Sequence, residues 1–224
     1  VIRENVGLDF AGWALALKLF PSISSARELA LVNDSVYGPV NDLGFMFSRM
    51  ENRNVDFWGA AESAEVQRHL QSYFLVFRRN ALRSGAFLAF WKNVEALTER
   101  DSVIQRYEIP MLSALEGAGL WGGALVAPDR AEATPVNPTL ANWRRLLAEG
   151  FPFLKVQLLR DNPLNNDISG WRAELTRHGY DPMLVVNHLA RVKPDASALS
   201  AEYTSHPTIV GDTGAHDIAG GVKL

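Results

Sequence analysis

The chain has 224 residues, 47% hydrophobic and 21% charged, with no cysteine and a formal net charge of -3. These values fit a globular protein of one large domain or a domain with an appendage, and they exclude disulfide frameworks, thiolate metal sites and cysteine nucleophiles. They leave no basic footprint for nucleic acid, and no apolar run reaches the roughly 20 residues of a membrane span.

The opening Val-Ile-Arg-Glu-Asn is not a signal peptide and reads as a chain already inside a domain. Residues 1–127 alternate helix-like and strand-like segments, which predicts an α/β architecture: a mostly parallel sheet flanked by helices. Gly7 supplies a positive φ, and Asp9 caps a helix whose apolar face is Phe10, Trp13, Ala14, Leu17 and Phe20, closed by Pro21. Leu29 to Val32 reads as a buried strand that ends in Asn33-Asp34-Ser35. Val55 to Trp58 is a second strand, stopping at Gly59, and Tyr73 to Phe77 a third, covered on both faces. Ile104, Tyr107, Met111, Leu112 and Leu115 form a helical stripe that Pro110 kinks or splits. Residues 128–135 read as a loop. Asn137-Pro138 and Asp181-Pro182 open helices in a C-terminal subdomain over 137–191, and 193–224, poor in large apolar residues, reads as a flexible tail.

Four places have the residues for chemistry. Arg3, Asn5, Gly7 and Asp9 form a polar loop ahead of a helix, suited to a diphosphate or to a plain strand-to-helix turn. At Asn33-Asp34-Ser35 a carboxylate ends a strand, where open α/β sheets bind ligands and where Asp34 can hold a hard cation; the same triplet is also a good turn. Glu108 falls on the apolar face of its helix. Burying it unpaired costs several kcal/mol, so it needs a cationic partner or a polar pocket, and in a cleft it has the makings of a general base. In an extended His69-Leu70-Gln71-Ser72-Tyr73, the side chains of His69, Gln71 and Tyr73 share a face that can meet a phosphate or a sugar hydroxyl. Asp56 and Trp58 suit a sugar or the core, and Lys155 a phosphate or an apolar surface for its stem. A metal-dependent hydrolase would need Asp34, His69 and Glu108 to converge.

Taken in order, Arg3-Glu4-Asn5-x-Gly7-x-Asp9-Phe10, Leu31 to Pro39, Asp56-Phe57-Trp58-Gly59, His69 to Phe74, Tyr107-Glu108 and Gly150 to Lys155 resemble the rhamnan synthesis protein F family of bacterial glycosyltransferases. The resemblance implies a GT-A-like, inverting transferase acting in cell-surface polysaccharide synthesis. It places Asn5 and Gly7 beside the nucleotide sugar, Asp34 where an Asp-x-Asp motif lies, and Glu108 as the base. It further implies a nucleotide-sugar donor such as dTDP-L-rhamnose, a glycan or lipid-linked glycan acceptor, a divalent cation (Mg or Mn) at Asp34, and a cytoplasmic location at the inner face of the membrane by peripheral association. The sequence departs from the pattern in two respects. Asn33-Asp34-Ser35 has a single carboxylate, and the strands and helix that hold the nucleotide base are expected before the Asn-x-Gly turn, which here falls at residues 5–7. The alternative is therefore a non-catalytic glycan-binding or scaffolding module derived from a glycosyltransferase.

Overall fold

The computed structural model describes residues 2–128 and 137–200. Helix α1 (Leu8–Leu19) starts without a side-chain cap. Gly7, at φ +78°, makes the left-handed turn into it, and a Cβ there would lie 2.4 Å from the Ala11 Cβ and 2.7 Å from the Ala96 Cα. Gly7 is thus the N-cap, not Asp9. Asp9 sits in the first turn and accepts a 2.9 Å hydrogen bond from the Asn33 amide, which draws it off its own helix end.

Strand β1 (Glu28–Val32) lies at the edge of the main sheet, and only Leu31 in it is fully buried; the covered strand expected there is half exposed. Strand β2 (Val36–Tyr37) leaves that sheet, and α2 (Leu43–Glu51) follows, capped by the Asp42 carboxylate. Strand β3 (Phe57–Ser63) is the central element, buried along its whole length. It runs through Gly59, because a side chain there would press to 3.2 Å on the Leu70 Cβ of β4 (His69–Leu70), so this glycine admits a close neighbour and does not end the strand. Strand β5 (Phe74–Arg78) completes the hydrogen-bonded centre.

The turns joining β3, β4 and β5 are too short for a crossover of a dozen or more residues, so these strands pair antiparallel. Strand β1 pairs antiparallel with β5, Val32 opposite Phe74. The long helical connection runs through α3 (Arg79–Arg83), α4 (Gly85–Lys92), α5 (Arg100–Val103), a π-helical turn (Ile104–Glu108) and α6 (Ile109–Gly117). It brings β6 (Gly122–Val126) back parallel to β3. The sheet is therefore mixed, in place of the mostly parallel sheet expected; apolar runs report burial and carry no information on strand direction.

Phe57, Leu75 and Phe77 point into the layer made by Phe10, Phe87, Trp91, Met111, Leu112 and Leu115. On the opposite face Trp58, Phe74 and Val76 meet Met46 and Met50 of α2, with Phe151 and Phe153. A third cluster belongs to α7 (Pro138–Ala141), α8 (Trp143–Ala148), α9 (Val156–Arg160), α10 (Trp171–Arg177) and α11 (Pro182–Val192). Between α8 and α9 the short strand β7 (Leu154–Lys155) pairs with β2, and the Tyr37 hydroxyl meets His188 at 2.9 Å. Residues 193–200, expected in a loose tail, are packed: Lys193 pairs with Asp161 at 2.9 Å, and Ala196 and Ala198 are fully buried ahead of and within α12 (Ser197–Ser200). The expected loop at 129–135 and the remainder of the tail lie outside the described residues.

Candidate active site

A narrow cavity of about 80 Å³ opens where the carboxyl end of β1 meets the amino end of β5. The ladder between them continues one step past the strands, as the Asn33 N–H donates to the Tyr73 carbonyl at 3.1 Å. Asp9 and Asn33 line one wall, Ser72 and Glu108 another, and Lys155 enters from β7. Three of these side chains come from the sequence-predicted set: Asp9, Asn33 and Glu108. Ser35, also in that set, lines the cavity too, its N–H donating to the Asn33 amide oxygen at 3.0 Å.

Glu108 reaches the cavity because of Pro110. Proline has no N–H to give the Arg106 carbonyl and its ring crowds that carbonyl, so an ordinary α-turn is disfavoured there. The chain widens into the π-turn, with the Ile109 N–H donating to the carbonyl of Ile104. The helix is split, as the sequence suggests, and the last residue of the wide turn is Glu108. Its Oε2 accepts from both the backbone N–H of Ser72, at 3.1 Å, and the Ser72 hydroxyl. Its Oε1 lies 3.9 Å from the Nε2 of His69. The His69 Nδ1 donates to the Gln67 carbonyl at 2.8 Å, so in the neutral ring Nε2 has the lone pair.

Electrostatically the cavity is mixed. Burial raises the Asp9 pKa; the Asn33 hydrogen bond works against that, and Asp34 and Glu108 add to it. Burial pushes the Lys155 ammonium down to about 8, while Glu108 pulls it up and Arg100 pushes it lower. Its Nζ stands 4.5 Å from the centre of the Tyr73 ring, and the Tyr73 phenol is itself held far above its ordinary range by burial and by Glu108.

The remaining candidates lie elsewhere. Asp34 is exposed beside the cavity and is felt at Asp9 through its charge. Among the described residues no three His, Asp or Glu side chains are grouped to hold a metal, and Asp34 stands as a single carboxylate. Arg3 is turned onto the carbonyls of Val6 and Leu8, and Asn5 is exposed. Gln71 does not share a face with His69, since the chain turns after Leu70. It is buried in a reciprocal amide pair with Asn137, at 3.0 and 3.1 Å, and Asn137 also caps α7. Asp56 and Trp58 sit at the far end of β3. Asp56 accepts from the Trp121 N–H and from Asn80, while Trp58 is core, edge-on to Phe47. Sequence reasoning passed over Ser72 and Arg100 as cavity residues, and left Lys155 between two roles. No periodicity signals them, because each arrives through a turn or a distant strand pairing.

The family model for rhamnan synthesis protein F matches residues 1–217. The chain belongs to that family. This relates it to polysaccharide synthesis. A virulence protein, VirA, of Vibrio anguillarum is 29% identical over 193 residues, covering 72% of this chain and 62% of the relative. An uncharacterized protein, y4gN, of Sinorhizobium fredii is 27% identical over 150 residues, covering 65% of this chain and 39% of the relative. The chain thus spans less than two thirds of the curated relatives it matches. No solved structure matches it. Among the described residues no helix is long and apolar enough to cross a membrane.

Proposed function

We propose that the chain is the acceptor-activating part of an inverting glycosyltransferase that moves a sugar, rhamnose by the family's name, from a nucleotide sugar to a growing polysaccharide. The observation that supports this is the state of Glu108. Ser72 anchors one carboxylate oxygen with two donors, the other oxygen accepts no hydrogen bond from the described residues, and the side chain lines the cavity. A general base needs that combination of fixed orientation and a free lone pair. In the reaction the acceptor oxygen bonds to the anomeric carbon as its proton passes to the Oε1 of Glu108. The bond from that carbon to the diphosphate breaks, and its electron pair leaves on the diphosphate. His69, 3.9 Å away, is placed to share the proton. Asp9 and Asn33 offer an acceptor and a donor for sugar hydroxyls, and the Asn5–Gly7 turn and Asp34 flank the donor side.

Glu108→Gln in the full-length protein tests this. The amide oxygen can still accept from Ser72, so donor affinity holds, while turnover falls by about 10²–10⁴. Turnover within a few-fold of wild type removes Glu108 from the role.

The size of the cavity favours a second reading. At about 80 Å³ it is well below the roughly 300–1,000 Å³ of ligand pockets, which suits a degenerate, non-catalytic glycan-binding or scaffolding module. Titrating the full-length protein with nucleoside diphosphates, with and without manganese, separates the two: binding supports the transferase, and its absence supports the scaffold.

A further inference from the structure

Lys155 has no role in the transfer step just derived. It lines the cavity from β7 with its ammonium over the Tyr73 ring, and among the described residues no carboxylate comes within ion-pair distance of it. Arg100, on the same cavity, makes no ion pair there either. A buried ammonium is stable only when it is paired and hydrogen-bonded, so Lys155 is the incomplete member of the cavity, while the exposed Arg100 adds positive charge at its mouth. Glu108 acts on Lys155 only from beyond ion-pair distance, and Asp9 and Glu108 take their hydrogen bonds from Asn33 and Ser72, not from the ammonium. Burial has already pushed Lys155 down to about 8, and an anion placed beside it would bring it back up.

The cavity's dimensions decide which substrate brings the anion. Inverting displacement sets the attacking hydroxyl and its base on one face of the anomeric carbon, and the departing diphosphate on the other. About 80 Å³ holds two or three water molecules, so Lys155 and Glu108 meet the same few substrate atoms. The charge facing Lys155 therefore belongs to the molecule that Glu108 deprotonates. We propose that the acceptor is acidic, with a phosphate or carboxylate close to the attacking hydroxyl, and that Lys155, seconded by Arg100, binds this anion. The assignment rests on the transferase reading. Lys155 makes and breaks no covalent bond; its contact sets the hydroxyl in line with Glu108.

The test is steady-state transfer by the full-length protein, with donor and acceptor each varied at saturating levels of the other. Three alkyl glycoside acceptors are compared: a neutral hexoside, the same hexoside with a phosphate, and the corresponding uronoside. Wild type favours one of the charged pair over the neutral one by about ten- to hundredfold in kcat/KM, and the better of the two identifies the anion. Lys155→Met erases that preference through acceptor KM, leaves donor KM unchanged, and Lys155→Arg restores part of it. Circular dichroism and urea unfolding confirm that each variant is folded. Wild-type transfer without preference for charge overturns the assignment and leaves the transferase reading standing, as does a Lys155→Met defect confined to donor KM. Failure of the wild type to bind any nucleotide sugar overturns both.

Discussion

Lys155→Met removes the cavity's ammonium while keeping an unbranched stem over the Tyr73 ring, and so tests the electrostatics with no substrate present. Burial holds this group at about 8 against its ordinary 10.5. Between those values the unfolded chain binds more protons than the folded one, so the group's contribution to stability rises with pH across that window. Wild type bears the full penalty below the folded value and has shed it above the unfolded one. The gap corresponds to at most about 3 kcal/mol. Lys155→Met is therefore more stable than wild type near pH 7, by up to about 3 kcal/mol, and the advantage shrinks toward zero as the pH approaches about 10.5. Urea unfolding of both proteins across that range measures it, and groups that titrate alike in the two cancel in the difference. The Tyr73 phenol, raised by burial and Glu108, stays silent there. A methionine variant less stable at neutral pH, or a difference that does not change with pH, refutes the reasoning.

Two predictions concern the supports of the site. Gly7→Ala forces a Cβ to 2.4 Å from Ala11 at a left-handed φ, and urea unfolding will show a loss of about 2–4 kcal/mol; a loss under about 1 kcal/mol means the turn before α1 can shift freely. Gln71→Ala strands the buried Asn137 amide and lowers stability by about 1–3 kcal/mol with nucleoside-diphosphate binding unchanged. Weakened binding at full stability would return Gln71 to the ligand site.

Legibility in the sequence followed the range of the interaction. Glu108 stood out because an acid interrupts an apolar stripe at helical spacing, and Gly7 because a lone glycine precedes a helix. Both are local signals. The strand directions were not legible, since they depend on connection length and on which neighbour a strand finds. Lys155 enters the cavity only because β7 pairs with β2 across more than a hundred residues, and nothing in Phe153-Leu154-Lys155 announces that pairing. Trp58 and Asp56, whose residue types suit either a sugar site or the core, lie away from the Glu108 cavity, Trp58 in a fully covered strand and Asp56 accepting from the Trp121 N–H and from Asn80. Ser72 was hidden by treating 69–73 as extended, whereas the turn after Leu70 is what aims its N–H at Glu108.

The helix breaker and the buried acid, two separate oddities in the sequence, are one device in the fold. Pro110 withholds the N–H that would bond to Arg106, the π-turn forms, and the extra residue per turn rotates the downstream helix by about 100°. That rotation lets Ile109, Met111, Leu112 and Leu115 stay in the core while Glu108 faces the cavity. Pro110→Ala supplies the missing donor and permits an ordinary α-turn, which swings Glu108 away from Ser72. Removing an interior proline relieves a helix cost of up to about 3 kcal/mol, which offsets the packing disturbed as Glu108 turns, so global stability is kept. The Ser72 N–H, now bonded to the Oε2 of Glu108, then loses its partner. Amide hydrogen exchange reads this directly: faster exchange at Ser72 with global stability kept shows that the proline sets the carboxylate. Unchanged protection at Ser72 would mean that the core contacts of Tyr107 and Ile109 hold the wide turn without it.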